Sequence, residues 1–524
     1  HEEGAEVIGV HLEGPFISKK YKGAQIESCI VPCDVATFKE YQEASGNNIL
    51  QVTLAYEENG KELVNYLRDN KIVASLGHTD ATCDQALEAV AEGATSFTHT
   101  YNAMKPLHHR EAGVVGAALL ADEAYCEMIC DLIHLNKNAI KVLYKAKGKD
   151  KLILKTNEEF KQFVEACHEA DIKIVLDGVF NHTGIHFKPF EDVLKNGKES
   201  KYYDWFHITA DEIKISHHDY ECVGAYKYMP KLNSANKEVR EFIIDVMDYW
   251  IANYGIDGWR LDVADEVDAS VWREARLILK EKYPEILLLG ETWGYGDKLL
   301  AGNQLDAVMN YMFRDAARDY FAKEAIDIEI FDHRINHMLA GYKKDTNQIM
   351  YNLLDSHDTE RFLTMCDDDL RKLKLAAAFQ LLFVGSPAIY YGDEIGLNGM
   401  NDPDCRKCMI WDEGQNLELK NWYKTWIKVR KEHPEIRKGS FKTVFVDKEK
   451  DVYGFVRQLE EEKIYVFLRK GTKDTREIMC PVLESEKDYF DVLSKESIMN
   501  AQGVLCFTMD SYSVRVISTK SKKN

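Results

Sequence analysis

Excess basic charge, long apolar runs and paired cysteines are all missing from this chain of 524 residues. Its 67 Lys and Arg stand against 87 Asp and Glu, a net charge of -20. That argues against nucleic acid or an anionic membrane surface as partner, because phosphate binding needs clustered Lys and Arg. No run of about 20 apolar residues occurs, so no membrane-spanning helix is expected. The 12 Cys are scattered, several inside apolar runs, and lack the paired spacings of a disulfide-stapled secreted domain. Reduced thiols are expected. Cys405 and Cys408 form one C-x-x-C, without the second pair that a structural zinc site needs. The first residue is His1, and no signal-like apolar segment follows it. The expectation is a cytoplasmic protein whose given sequence starts inside a longer one.

What is present is a hydrophobic fraction of 45%, enough for ordinary cores, over a length suited to about three domains. From residue 6 to about 154, short apolar runs alternate with helical patterns, which implies a parallel βα layer. A second series follows from 155 to about 434. It opens with a capping-box pattern at Thr156 and Glu159 and contains a helix over "NKEVREFIIDVMDYWIANYG" that Gly255 stops. This series holds six strand candidates, nearly all with polar or charged residues at their C-terminal ends. A short inserted domain is expected at about 183–230. Beyond 435 the pattern becomes short strands between charged turns, a C-terminal β-sandwich ending near 519, with 520–524 as a tail.

In parallel βα folds, chemistry gathers at the carboxyl ends of the strands. Asp177, Asp262, Glu291 and Asp358 fall at or just past such ends. Glycosidic cleavage needs two carboxyl groups, one to meet the anomeric carbon and one kept protonated to release the leaving oxygen. Arg260, two residues before Asp262, shares its strand face and would keep that carboxylate ionised. His182 and His357 are candidate donors to sugar hydroxyls, and Trp205, Phe206, Trp259 and Trp293 are candidate stacking surfaces.

These segments also carry a resemblance. "DGVFNH" (177–182), "GWRLDVADEV" (258–267), "GETW" (290–293) and "LLDSHDTER" (353–361) are similar to the four ordered signature regions of the α-amylase family, glycoside hydrolase family 13. "MPKLN" (229–233) resembles the extra signature of its neopullulanase and cyclomaltodextrinase branch. The resemblance implies a (β/α)8 TIM-barrel-type catalytic domain and retaining hydrolysis of an α-glucan such as maltodextrin, cyclomaltodextrin or pullulan. Asp262 would be the nucleophile, Glu291 the acid/base and Asp358 the carboxylate fixing the sugar. Arg260, His357, Asp177 and His182 would bind substrate. No cofactor is implied, and calcium is left open. Asp265 departs from the Asn usual in this branch.

The first series offers Glu13, His78 and His99, one carboxylate and two imidazoles on separate strand ends, a donor set suited to a catalytic divalent metal. His109 and Arg110, with Asn102, are candidates for binding a phosphate, and His134 lies at a further strand end. With "HLEGPF", "GHTDA", "THTYNAM" and "DLIH", this series resembles N-acetylglucosamine-6-phosphate deacetylase of the amidohydrolase superfamily, which implies zinc or iron at the trio and an amino-sugar phosphate near Asn102, Arg110 and His134. Where that family carries its catalytic Asp after the strand matching "KLIL", this chain reads "KTNE", so the general base is missing.

Both series are truncated where they meet. The strands in "YCEMICDLIH" (125–134) and "KLIL" (151–154) are therefore expected to fill the first two positions of the second barrel, leaving residues 1 to about 120 as a poorly supported layer. Three readings follow: an α-glucan hydrolase, expected as a monomer; a metal-dependent deacetylase lacking its base; and a fused chain that folds in part or binds sugar without turnover.

Overall fold

The structure is a computed structural model that describes residues 9–23, 25–129, 134–147, 151–155, 157–210, 213, 219–224, 226–407, 409–410, 414–471, 474–482 and 488–519. Thr156, Cys408 and the tail at 520–524 lie outside them, and with them the expected capping box, the C-x-x-C pair and the frayed end. The chain divides into two compact units, His1–Ile174 with Asn253–Gly255, and the remainder. No helix among the described residues is long and apolar enough to cross a membrane.

The first unit is a parallel sheet in the order β1 (Val10–Glu13), β2 (Ile49–Leu54), β3 (Val73–Leu76), β4 (Ser96–Phe97), β5 (Tyr125–Ile129) and β6 (Leu152–Lys155). Helices α1 (Val35–Ala44), α2 (Gly60–Asp69), α3 (Cys83–Glu92), α4 (Gly113–Leu120) and α5 (Lys137–Lys147) make the crossovers, and α6 (Asn157–Glu169) follows β6. Local sequence sets these limits. Thr82 accepts from Gln85 N while the Gln85 side chain accepts from Thr82 N, the reciprocal cap that starts α3. The sequence of α4, "GVVGAALL", is apolar on every side, and Gly113 to Ala118 are accordingly buried.

β5 and β6 correct an expectation. They are not strands of the second barrel: β5 pairs with β4 and β6 with β5, continuing the first unit's own sheet. The physical reason is burial. Cys126 and Met128 of β5 pack into the same core as Phe16, Leu54, Leu76, Phe97, Val114 and Ala118. Residues 10–120 are thus well supported around a continuous apolar core.

In the second unit, β7 (Val175–Gly178), β8 (Gly258–Leu261), β9 (Leu287–Gly290) and β10 (Ala307–Val308) are parallel neighbours in sequence order. A parallel bridge from Met309 to Tyr351 leads on to β11 (Tyr351–Leu353), which pairs with β12 (Ser386–Ala388). Helices α7 (Lys188–Asn196) and α8 (Lys237–Tyr254) lie between β7 and β8, and α9 (Ala269–Lys282) between β8 and β9. α8 buries Val239, Ile243 and Met247, spaced for one face, and gives way at Gly255, whose φ of +69° suits glycine. The parallel strands in sequence order are of the α/β barrel type expected of the second series, but the described residues hold six of them rather than eight, and no strand pairing among those residues closes them into a ring.

The C-terminal domain is antiparallel, as expected. Its strands are β13 (Ser440–Asp447), β14 (Val452–Leu459), β15 (Glu462–Arg469), β16 (Arg476–Pro481), β17 (Tyr489–Asp491), β18 (Ser497–Asn500), β19 (Val504–Met509) and β20 (Ser513–Ser518), in the order β13-β14-β15-β20-β17-β18-β19-β16. Val452, Phe467, Ile478, Tyr489, Leu505 and Ile517 form its core.

Candidate active site and candidate metal centre

Strand register brings the carboxylates together. Asp177 in β7 is the direct ladder partner of Arg260 in β8, and Leu261 is the partner of Gly290, so Asp262 and Glu291 are the next residues out on adjacent strands. Arg260 and Asp262, two apart, face the same way. One Arg260 nitrogen, Nη1, lies 2.8 Å from Asp177 Oδ1 and 2.6 Å from Asp262 Oδ1; Nη2 lies 2.9 Å from Glu291 Oε2. The last contact is an ion pair out of hydrogen-bond alignment, since Nη2 has no aligned acceptor. Because one guanidinium touches both, Asp262 Oδ1 and Glu291 Oε2 lie within about 8 Å of each other, inside the ~9.5 Å outer limit for two-carboxyl glycoside cleavage.

The two carboxyls differ in surroundings. Glu291 is 3% exposed. Its Oε2 accepts from Val263 N at 3.0 Å and its Oε1 from Trp293 Nε1 at 3.2 Å. Burial pushes its pKa up and the charges of Asp262 and Asp358 add to that, against the Val263 N–H and Arg260. Arg260 loses by burial but gains more from Asp177, Glu291 and Asp262, so its charge is held firmly. Val263, between the two carboxylates in this network, has φ +44°, a strained value for a β-branched residue of the kind that clusters at functional sites.

Asp358, beyond β11, is held by His357 Nε2 at 3.1 Å from Oδ2 and by Arg406 Nη2 at 3.2 Å from Oδ1. Sequence reasoning missed Arg406, which lies in the segment read only for its cysteines. His182 is half-buried with Nδ1 unpartnered, and burial lowers its pKa against the nearby charge of Asp262. Asp265 is exposed and accepts from the Thr292 hydroxyl at 2.8 Å. Of the four candidate stacking aromatics, only Trp293 is exposed, at 52%, stacked on Tyr311 with centroids 4.2 Å apart. Trp205, Phe206 and Trp259 are buried core residues, a correction: composition does not tell a sugar platform from a core indole.

In the first unit, Glu13 ends β1, while His78 and His99 sit two residues past β3 and β4. His78 Nδ1 faces the Tyr21 carbonyl at 2.7 Å and His99 Nδ1 the Asn102 carbonyl at 3.1 Å. Both Nε2 atoms then converge on Glu13 Oε1, at 2.9 and 3.1 Å, and lie 3.1 Å from each other. The three ligand atoms fall within 4.8 Å of one another. Hydrogen bonds from the two imidazoles hold the Glu13 carboxyl well below the usual carboxylate range. Both histidines have positive φ, +49° and +33°, backbone strain spent on aiming the rings. Imidazoles oriented by carbonyls and facing a carboxylate are a donor set that fits zinc or ferrous iron.

Asn102 turns its amide to the His99 carbonyl at 3.3 Å, and Arg110 and His134 are exposed, outside the trio. Glu127, buried in β5, accepts from Gln51 Nε2 at 2.8 Å and approaches His99 N. It was missed, although a lone acid inside the apolar run "YCEMI" was a signal.

Residues 154–463 match the family model described as Alpha amylase, catalytic domain. The chain is 42% identical over 366 residues to a cyclomaltodextrinase of Geobacillus thermopakistaniensis (strain MAS1), covering 70% of this chain and 62% of the relative. It is 42% identical over 358 residues to neopullulanase 2 of Thermoactinomyces vulgaris, covering 67% and 61%. A solved cyclomaltodextrinase structure aligns with TM-score 0.66 at 40% identity, over 69% of this chain and 62% of that one. The chain thus spans less than two thirds of the length of these relatives.

Proposed function

Because the chain belongs to the alpha-amylase family, we propose that its second unit is a retaining hydrolase of α-glucans, acting on maltodextrin, cyclomaltodextrin or pullulan-like substrates. The observation that carries this reading is the single Arg260 guanidinium touching Asp177, Asp262 and Glu291, with Glu291 alone almost wholly buried. Glu291, its pKa raised, gives its proton to the glycosidic oxygen as Asp262 attacks the anomeric carbon and the bond to the leaving sugar breaks. The Glu291 carboxylate then takes a proton from water, whose oxygen displaces Asp262 and restores the anomeric configuration. Asp358, with His357, holds sugar hydroxyls, Asp177 and His182 shape the subsite, and Trp293 offers a ring face. This chemistry needs no cofactor. Compartment and assembly in this reading are the cytoplasm and a monomer. The test is reducing-sugar release from cyclodextrin, pullulan and maltodextrin. Release that Asp262→Asn cuts by roughly four orders of magnitude supports the reading; sugar binding without any release contradicts it.

The convergence of Glu13, His78 and His99 favours a second reading for the first unit, a divalent-metal site like that of the amidohydrolases. The metal would supply a Lewis acid for water, and this chain's residues would orient it: the Tyr21 and Asn102 carbonyls fix the two rings. At 100 times its Kd, zinc should stabilise the protein by about 2.7 kcal/mol, read as a raised unfolding temperature. Stabilisation unchanged in His78→Ala would contradict the site.

A further inference from the structure

Two carboxyls that the mechanism does not use lie behind the Asp358 loop. Asp355, two residues past β11, is 2% exposed, and Asp393 is 4% exposed. Asp355 Oδ2 accepts from Phe362 N at 2.5 Å, which staples shut the loop 356–361 that carries His357 and Asp358. Asp393 Oδ1 accepts from Arg361 Nη1 at 3.1 Å. Arg361, fully buried, also donates from Nε to the Cys405 carbonyl at 2.8 Å and from Nη1 to the Tyr391 carbonyl at 2.5 Å, and lies 3.9 Å over the Tyr390 ring. Cys405 Sγ in turn donates to the His357 carbonyl at 3.3 Å. The pair is therefore tied to the sugar-holding loop from both sides.

Charge and hydrogen bonding do not balance if both carboxyls are ionised. Among the described residues, Arg361 is the cation that ion-pairs with Asp393, at 3.1 Å, while its Nη2 is buried without an acceptor and Asp355 Oδ1 is buried without a donor. The side chains of Asp355 and Asp393 face each other within hydrogen-bond reach, where two bare carboxylates have acceptors only. A proton on Asp393 supplies the missing donor to Asp355. We propose that Asp355 and Asp393 share one proton, carried by Asp393, and act as positioning residues that set the His357–Asp358 loop for sugar. The proposal rests on the reading of Asp358 as a sugar-holding carboxylate. Burial, then the Asp355 charge, pushes the Asp393 carboxyl well above its ordinary range, against Arg361. The other titratable or charged groups acting on the pair are Arg314 on Asp355, and Tyr423, whose own pKa both carboxyls raise together with Glu394 and Cys366.

The test compares the full chain with Asp393→Asn and Asp393→Ala. Asn reproduces the protonated acid, with Nδ2 donating to Asp355 and Oδ1 accepting from Arg361. Asp393→Asn should keep kcat and KM for maltodextrin within about threefold at neutral pH, while Asp393→Ala raises KM at least about tenfold. A neutral-pH infrared band of a protonated carboxyl should vanish in Asp393→Asn and survive in Glu291→Gln. Folded stability in the wild type should fall as pH rises above the ordinary aspartate range, because the folded state keeps a proton that the unfolded state has released, and Asp393→Asn should flatten that slope. The infrared and stability readouts hold whether or not glucan is cleaved, so a wild type without glucan turnover sinks the functional reading alone. The proposal is overturned if Asp393→Asn behaves as Asp393→Ala does, or leaves the carboxyl band and the pH slope of stability as in the wild type.

Discussion

At the scale of residues, the candidate site works through unequal neighbours around one cation. Asp262 sits 2.6 Å from Arg260, whereas Glu291 is buried and meets the same guanidinium only off-axis. Environment thus separates the roles of two carboxyls, as acid/base chemistry requires. The negative charge of Asp358 contributes to holding the Glu291 proton. Asp358→Asn should therefore lower the Glu291 pKa and move the alkaline limb of kcat/KM to lower pH, in addition to weakening turnover. The residual rate on an activated maltosyl aryl glycoside, followed across pH, is the check, and a limb that stays put or moves up contradicts the assignment. Asp177, Arg260, Asp262 and Glu291 were legible from sequence because strand alternation and strand ends fix where such side chains go. Arg406 was not, because its partner Asp358 is 48 residues away and only the closing of two loops joins them. The Asp355–Asp393 pair was hidden for the same reason.

At the scale of elements, the sheets show which part of a pattern carries information. Long periodic helices such as α8, with its glycine stop, could be read directly. The C-terminal strands could too, because a hairpin series alternates apolar and polar residues between turns. β5 and β6 could not be assigned to a sheet. A buried parallel strand is a short apolar run whichever sheet it joins, and only the edge of β4 and the core around Cys126 and Met128 decide the matter. The buried Trp205 and Trp259 make the same point for side chains: nearness to a signature segment does not say which face of an element an indole takes.

At the scale of the whole molecule, each unit brings its own polar groups to strand ends: a Glu–His–His trio in the first, an arginine-centred carboxylate cluster in the second. One suits a metal and the other a sugar, and the family match begins at residue 154. The central claim is that Asp262 forms the bond to the sugar while Glu291 moves the proton. The most direct measurement is peptide mass spectrometry after turnover of a fluorinated α-glucosyl fluoride that slows release of the glycosyl intermediate. The account predicts a glycosyl adduct on the peptide containing Asp262, accumulating further in Glu291→Ala. An adduct on a different carboxylate, or turnover of the probe with none on Asp262, would contradict it.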